Sequence, residues 1–87
     1  MTKYLYTLKE QERYFGRFET VEEQKTYTVD EQHLENTICP ETMRFFRNIG
    51  SKQEIRRRYK NGKEIIDVLS YAPNSTTKRT VHHFEEI

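Results

Sequence analysis

The sequence predicts an α+β fold in which an antiparallel β-sheet of five to six strands carries one main α-helix on one face. Three observations predict it. An alternating aromatic segment opens the chain, a proline begins a helical pattern in the middle, and an Asn-Gly turn separates two later strand-like runs. The 87 residues contain no repeat and no flexible linker, so we assign residues 1–87 to a single domain.

An N-terminal hairpin is the first predicted unit. Residues 4–8 alternate so that two tyrosines and Leu8 share one face, and residues 13–18 alternate in the same manner. The polar residues 10–12 between these runs predict the hairpin loop. Because burial is the commonest use of aromatic side chains, we expect the aromatic stripe of this hairpin to belong to the core.

A third strand-like run follows the hairpin and leads into a helical turn. Residues 25–29 are rich in β-branched and aromatic side chains, which favour strand. The spacing Thr28-x-x-Glu31 matches the capping box that begins helices. We therefore expect strand to about Val29 and a short helical turn over residues 30–36.

Residues 39–50 give the clearest helix prediction. Pro40 suits the first helical position, and Gly50 suits the left-handed residue that follows a helix. Arg44 and Arg47 are three residues apart and therefore neighbours on one side of this helix. The apolar stripe on the other side consists of Thr42, Phe45, Phe46 and Ile49.

The second half of the chain predicts a three-stranded meander. Its centre is the segment Lys60-Asn61-Gly62-Lys63, because a two-residue hairpin turn needs positive φ at both central positions. With the two lysines facing each other, the register places Arg57 opposite Ile66. Residues 72–75 predict a turn, and residues 78–84 predict the last strand.

The charge of the chain is polarised, although its formal net charge is only +1. Residues 1–43 carry five basic against nine acidic side chains, and residues 44–87 carry ten against five. Two interpretations stay open: the basic half meets an anionic partner, or the two halves neutralise each other within the fold or in a homodimer. The acidic segment 19–35 is in the simplest interpretation a solvated loop and helical turn, and the alternatives are that it masks the basic surface or mimics nucleic acid.

The candidate binding surface consists of the basic residues of the helix and of the hairpin after it. Guanidinium groups bind phosphates bidentately and stack on bases, and tyrosine rings offer further stacking surfaces. An ordinary edge strand that its charges protect from aggregation is the alternative interpretation of the run at residues 56–60. The predicted binding residues are Arg44, Arg47, Arg56, Arg57, Arg58, Tyr59, Lys60 and Lys63.

Metal and covalent chemistry have little support in the sequence. His82 and His83 are adjacent on a predicted strand, so they point to opposite faces and do not readily chelate one ion. No ligand spacing of the zinc type occurs, and no catalytic motif surrounds Cys39. We therefore predict no catalytic residue, no metal and no cofactor.

The chain also lacks the sequence features of a membrane or secreted protein. No apolar stretch approaches the roughly 20 residues of a membrane span, and no apolar segment follows the N-terminus. A single cysteine fits a reducing compartment. We expect a cytoplasmic protein in a bacterial host cell, without membrane association.

One resemblance to a known group of proteins is carried by Pro40-Glu41-Thr42-Met43-Arg44-Phe45-Phe46-Arg47-Asn48-Ile49-Gly50 and the basic hairpin after it. This half of the chain resembles small early-region proteins of phages that infect low-GC Gram-positive bacteria. The resemblance carries over no catalytic motif. It implies a binding protein of phage or prophage: an inhibitor of host defence, in the size range of anti-CRISPR proteins, a sponge for signalling nucleotides, or a regulator acting on nucleic acid.

Three hypotheses about function follow. The first is a non-enzymatic binding protein that inhibits or modulates a host defence or nucleic-acid-handling system, its partner being a host protein or a protein–nucleic acid complex. The second is direct binding of DNA, RNA or a nucleotide through the C-terminal basic hairpin. The third is a small toxin-like endoribonuclease that uses His82 or His83 for acid–base chemistry, although the near-neutral net charge disfavours it.

Overall fold

The computed structural model describes residues 2–87, and for residues 25–27 it describes the backbone alone. The elements in chain order are β1 (Lys3–Tyr14), β2 (Arg17–Asp30), α1 (Glu31–Thr37), α2 (Pro40–Asn48), β3 (Gln53–Lys60), β4 (Lys63–Tyr71) and β5 (Lys78–Glu86). The strands form one antiparallel sheet in the order β2-β1-β5-β4-β3. The predicted α+β class, the N-terminal hairpin and the C-terminal meander are therefore confirmed.

The N-terminal hairpin turns at Phe15 and Gly16, so the predicted loop at residues 10–12 is wrong. Both turn residues have positive φ, 50° and 79°, as a two-residue primed turn requires. Residues 10–12 are extended because β1 pairs there with β2 on one side and with β5 on the other. The ladder hydrogen bonds on both sides outweigh the preference of these polar residues for a loop.

The aromatic stripe of this hairpin is core only at its beginning. The rings of Tyr4 and Tyr6 are buried, and Leu8 packs against them. Tyr14 is exposed next to the turn, and the side chain of Phe15 at the turn itself is fully exposed. β5 pairs with β1 only as far as Glu12, so Tyr14 and Phe15 lie beyond that pairing, whereas the ring of Phe18 packs edge-on against Tyr71.

The turn between β3 and β4 forms at Asn61 and Gly62, as predicted. Their φ values are 54° and 77°, and Lys60 faces Lys63 across the turn. Arg57 then lies opposite Ile66, so the predicted register of the basic hairpin is confirmed. This register fixes which side chains of β3 share a face of the sheet.

The predicted helical turn at residues 30–36 corresponds to α1, which Asp30 caps by accepting a hydrogen bond from the backbone N–H of His33 (3.2 Å). A second helix, α2, begins at Pro40, and Gly50 beyond its end has the expected positive φ of 81°. The central helical region is thus two consecutive short helices.

α2 buries only part of the predicted apolar stripe, since Thr42 and Phe46 are half-buried but the other two members are exposed. Phe45 is 60 % exposed and Ile49 41 % exposed, whereas Met43 packs against the core. The ring of Phe45 lies edge-on against Phe46, with 5.5 Å between centroids, instead of against the sheet. The side of α2 that faces the sheet therefore carries Met43 together with Thr42 and Phe46.

The sheet has a covered face and an open face. Both helices pack on the covered face, whose core cluster consists of Tyr4, Tyr6, Val29, Leu34, Ile66, Val68 and Phe84. Alternation along the strands places Ile65, Leu69 and Val81 on the opposite face, which we call the open face. These three side chains are nevertheless only 6 %, 2 % and 5 % exposed. Side chains of the sheet itself therefore cover them.

Candidate anion-binding surface

The structure distributes the eight predicted binding residues over three places. Arg44 and Arg47 are exposed on α2, and Arg47 lines a cleft of about 420 Å³ between α2 and the start of β3. Arg57 and Tyr59 point to the covered side of β3. The remaining cations of β3, namely Arg56, Arg58 and Lys60, point to the open side. Lys63 lies opposite Lys60 at the turn. The residues predicted to form one surface therefore lie on both faces of the edge strand β3 and on the helix α2.

On the covered side of β3, the cationic and aromatic side chains share one carboxylate. Nη1 of Arg57 lies 3.4 Å from Oε1 of Glu64, and the hydroxyl of Tyr59 donates to Oε2 of the same residue (3.0 Å). That hydrogen bond raises the pKa of the Tyr59 phenol. Part of the positive charge on this side is therefore neutralised within the chain.

On the open side of β3, fewer of the cationic side chains form ion pairs. Nε of Arg56 lies 3.2 Å from Oε1 of Glu54, in an exposed ion pair. Within the described part of the chain, neither Arg58 nor Lys60 has a carboxylate within 4 Å. The open side therefore presents the freer positive charge of this strand.

A trough crosses the open face between two groups of long side chains. Its walls are Lys9, Gln11 and Arg79 on one side and Arg56 and Arg58 on the other. Its floor is made of the shorter side chains between them, namely Asp67, Leu69, Val81 and His83. The volume is about 140 Å³. The aliphatic stems of the wall residues lie beside the apolar floor, which accounts for the burial of Leu69 and Val81 without a helix above them.

Strand register explains how residues distant in sequence form this trough. Val81 pairs with Lys9 on one side and with Leu69 on the other. In the next row, Asp67 lies between His83 and Arg56. Side chains in adjacent rows on one face are close enough to contact each other when they are long.

His83 lies in the floor between two carboxylates. Its Nδ1 is 2.5 Å from Oδ1 of Asp67, and its Nε2 is 2.9 Å from Oε1 of Glu85. Ionised carboxylates only accept hydrogen bonds, so this geometry favours an N–H on both ring nitrogens, as in the imidazolium form. The hydrogen bond to Asp67 raises the pKa of His83; burial opposes it, and Glu85 adds to it. Burial raises the pKa of Asp67, but His83 and the nearby cations outweigh it and the net shift is downward.

Arg79 is the most firmly held cation of the trough. Its Nε donates to Oε1 of Gln11 (2.7 Å), and its Nη1 donates to the hydroxyl of Tyr71 (3.1 Å). The guanidinium also lies 3.8 Å from the centroid of the Phe18 ring, a cation–π contact. Three neighbours on different strands thus fix its position before any ligand binds.

His82 points to the opposite face and has a different environment. Its Nδ1 and the hydroxyl of Tyr6 share a hydrogen bond of 2.6 Å, and the two rings are stacked. Burial lowers the pKa of His82, and the proximity of His33 lowers it further. His82 and His83 therefore do not meet in one site, as their adjacency in a strand predicted.

The other chemical groups that the sequence singled out are not assembled into a site. The Sγ of Cys39 lies 3.0 Å from Oγ1 of Thr42, half-buried at the start of α2. Among the side chains that the structure describes, no group of three or more His, Cys, Asp or Glu has the arrangement to hold a metal ion.

The strand part of the acidic segment lies at the opposite edge of the sheet from β3. Glu19, Glu22 and Glu23 are exposed on β2, which forms one edge of the sheet, whereas β3 forms the other edge. The acidic residues of this strand therefore do not lie against β3, although Glu23 is the cross-strand neighbour of Lys9 on β1.

Sequence reasoning missed Lys9, Arg79 and the Asp67–His83 pair as members of the site. The β3–β4 register already implied that Arg56 faces Asp67, but the pairing of β1 with β5 joins residues 66 to 82 positions apart and has no local turn to predict it.

Comparison of the chain with protein-family models, curated proteins and solved structures finds no match in any of the three. The resemblance to phage early-region proteins therefore stays a prediction. None of the helices in the described part of the chain has the length and apolar character needed to cross a membrane.

Proposed function

We propose that this protein is a non-enzymatic binding protein that engages nucleic acid through the open face and the basic hairpin (β3, β4 and their turn). The observation that carries the proposal is the set of cations without an ion pair on this side. In the described part of the chain, Lys9, Arg58, Lys60 and Lys63 have no carboxylate within 4 Å. Such cations release condensed counterions when they meet phosphates, which is the main source of affinity in nucleic-acid binding.

The arrangement of histidines supports binding over cleavage of RNA. A general acid or base needs a ring nitrogen within reach of the substrate. Both ring nitrogens of His83 are engaged by carboxylates, and His82 lies on the covered face beside Tyr6. The endoribonuclease hypothesis predicts cleavage of RNA that His83→Ala abolishes, and a cleavage assay tests it.

A fluorescence anisotropy titration with labelled single-stranded and duplex oligonucleotides tests the proposal. We expect the affinity to fall steeply as salt rises from about 50 mM to 200 mM. The double variant Lys60→Gln/Lys63→Gln is expected to reduce the salt slope by about two, because each lysine that contacts a phosphate contributes about one.

The matched control is Arg13→Gln/Arg17→Gln, which removes the same charge at the exposed β1–β2 turn, away from the basic hairpin. We expect this control to bind like the unmodified protein. Absence of binding to every oligonucleotide at low salt contradicts the proposal.

An inhibitor that docks on a host protein is the second candidate function. The observation in its favour is that β3 is an edge strand, paired with β4 on one side only. Its free backbone groups can accept an added strand of an acidic partner. A pull-down from host lysate with and without nuclease separates the two functions: a partner retained after nuclease treatment favours the inhibitor, and its loss favours nucleic acid.

A further inference from the structure

We propose that the trough on the open face is a binding site for a single phosphate group, held by Lys9, Arg58 and Arg79 above the Asp67–His83 pair. The inference rests on the proposed anion-binding function and narrows it to one site and one ligand chemistry. It differs from the surface predicted from the sequence, because Lys9, Arg79 and His83 come from β1 and β5.

The first support is the size of the trough. Its volume of about 140 Å³ lies below the ~300–1,000 Å³ of pockets that enclose drug-sized ligands. A water molecule occupies about 30 Å³ in the liquid, so the trough has room for a group of a few heavy atoms such as a phosphate. A terminal phosphate or a phosphate within a strand therefore fits, with the remainder of the ligand lying along the sheet.

The second support is the difference in mobility between the cations. Arg79 is fixed by Gln11, Tyr71 and Phe18 and thus presents a preformed set of N–H donors. Lys9 and Arg58, on opposite walls, form no ion pair in the described part of the chain. Their long side chains are available to close over a bound anion from both sides.

The third support is the state of the acidic residues nearest the trough. Asp67 already accepts a hydrogen bond from His83, whose second ring nitrogen is bonded to Glu85. Glu54 is paired with Arg56. The ring of His83 thus lies between two carboxylates and Arg56 beside a third, and these contacts reduce, without cancelling, the repulsion of an incoming phosphate.

An NMR titration with inorganic phosphate and with a nucleoside monophosphate tests the site. We expect resonances of Lys9, Arg58 and His83 to shift together and to saturate. The variant Lys9→Ala/Arg58→Ala is expected to weaken binding by about tenfold or more, because two charge-assisted contacts are lost. The charge-conserving variant Lys9→Arg/Arg58→Lys should retain most of the affinity, and its amide spectrum checks that the fold is intact.

The control variant Arg13→Ala/Arg17→Ala removes the same charge at the exposed β1–β2 turn, outside the trough, and should bind phosphate like the unmodified protein. Equal weakening by the control and the trough variant, or shifts that do not saturate, would mean an adventitious ion only and would overturn the proposal. A labelled oligonucleotide gives the second arm. If phosphate and monophosphate do not bind but the trough variant loses the oligonucleotide, the site takes a phosphodiester of a strand.

The oligonucleotide arm also separates this inference from the proposed function. If the oligonucleotide binds equally well to the trough variant and to the control, the trough proposal fails while nucleic-acid binding stands. If neither phosphate nor oligonucleotide binds the unmodified protein, both proposals fail.

Discussion

The two faces of this sheet are built from alternate residues of the same strands, yet different interactions stabilise them. The covered face buries Phe84, Ile66 and Val68 beneath two helices. The open face buries Leu69 and Val81 beneath the stems of charged side chains from neighbouring strands. A chain of only 87 residues can therefore bury one face of its sheet under apolar side chains and the other face under the aliphatic stems of long cationic side chains.

The two adjacent histidines, one on each face of the sheet, have pKa values that are shifted in opposite directions. The pKa of His82 is lowered by burial, so protonation of the unfolded state removes stability as the pH falls below the ordinary histidine pKa. The pKa of His83 is raised by its bond to Asp67. Its stabilisation is fully present below the ordinary pKa and is lost as the pH rises through the folded-state value.

The largest expected loss of stability comes from a substitution in the covered face. Phe84→Ala should lower the free energy of unfolding by about 3–5 kcal/mol, because a fully buried ring leaves a cavity between the helices and the sheet. Leu69→Ala on the open face should cost only about 2 kcal/mol, at the low end for such substitutions, because the flexible stems above it can collapse into the space. Urea denaturation of both variants measures the difference. An equal loss in the two variants would show that the open face is packed as rigidly as the covered one.

The next largest effect is a loss of stability whose pH dependence differs between the two faces. Asp67→Asn should cost about 2 kcal/mol at mildly acidic pH, since it removes a hydrogen bond between charged groups. The loss should shrink as the pH rises through the folded-state pKa of His83, because the protonated partner is then absent. NMR titration of the imidazole should show the pKa of His83 falling in the variant. A loss that is constant between about pH 5 and pH 8 would contradict a protonated His83.

The corresponding change on the covered face should show the opposite pH dependence. His82→Leu removes the hydrogen bond with Tyr6 and should cost about 1 kcal/mol near pH 8. The cost should become smaller toward pH 5, because the variant no longer carries a group whose protonation opposes folding. Unfolding curves at several pH values measure it, with the Asp67→Asn variant as the contrasting case. A cost that grows on acidification would mean that His82 is charged in the folded protein.

Local signals predicted the parts of the fold that depend on neighbouring residues. The Asn61-Gly62 turn set the register of the basic hairpin, and Pro40 set the start of α2. The first hairpin was mispredicted because Phe15 adopts a positive φ that its side chain does not favour, so no turn residue other than Gly16 marked the site. The trough depends on the pairing of β1 with β5, and a contact between the ends of the chain has no local sequence signal.

The smallest expected effect tests whether the aliphatic stems or the charged groups of the wall residues stabilise the open face. Arg58 lies opposite Ile65 in the β3–β4 register and Arg57 lies opposite Ile66. Arg58→Ala should cost about 0.5–1 kcal/mol through the exposure of Ile65, whereas Arg58→Met, which keeps an unbranched apolar stem without the charge, should cost less. Arg57→Ala on the other side should stay within about 0.5 kcal/mol, because its ion pair with Glu64 is exposed to solvent.

Thermal unfolding at low and high salt distinguishes the two contributions to the Arg58 effect. If the stem covers the floor, Arg58→Met remains close to the unmodified protein at both salt concentrations, since apolar contact is not screened by ions. If Arg58→Met is as unstable as Arg58→Ala at low salt and recovers at high salt, the guanidinium itself is the stabilising group through its attraction to Asp67. The cations would then be engaged in holding the sheet together, and a phosphate would have to displace that attraction in order to bind.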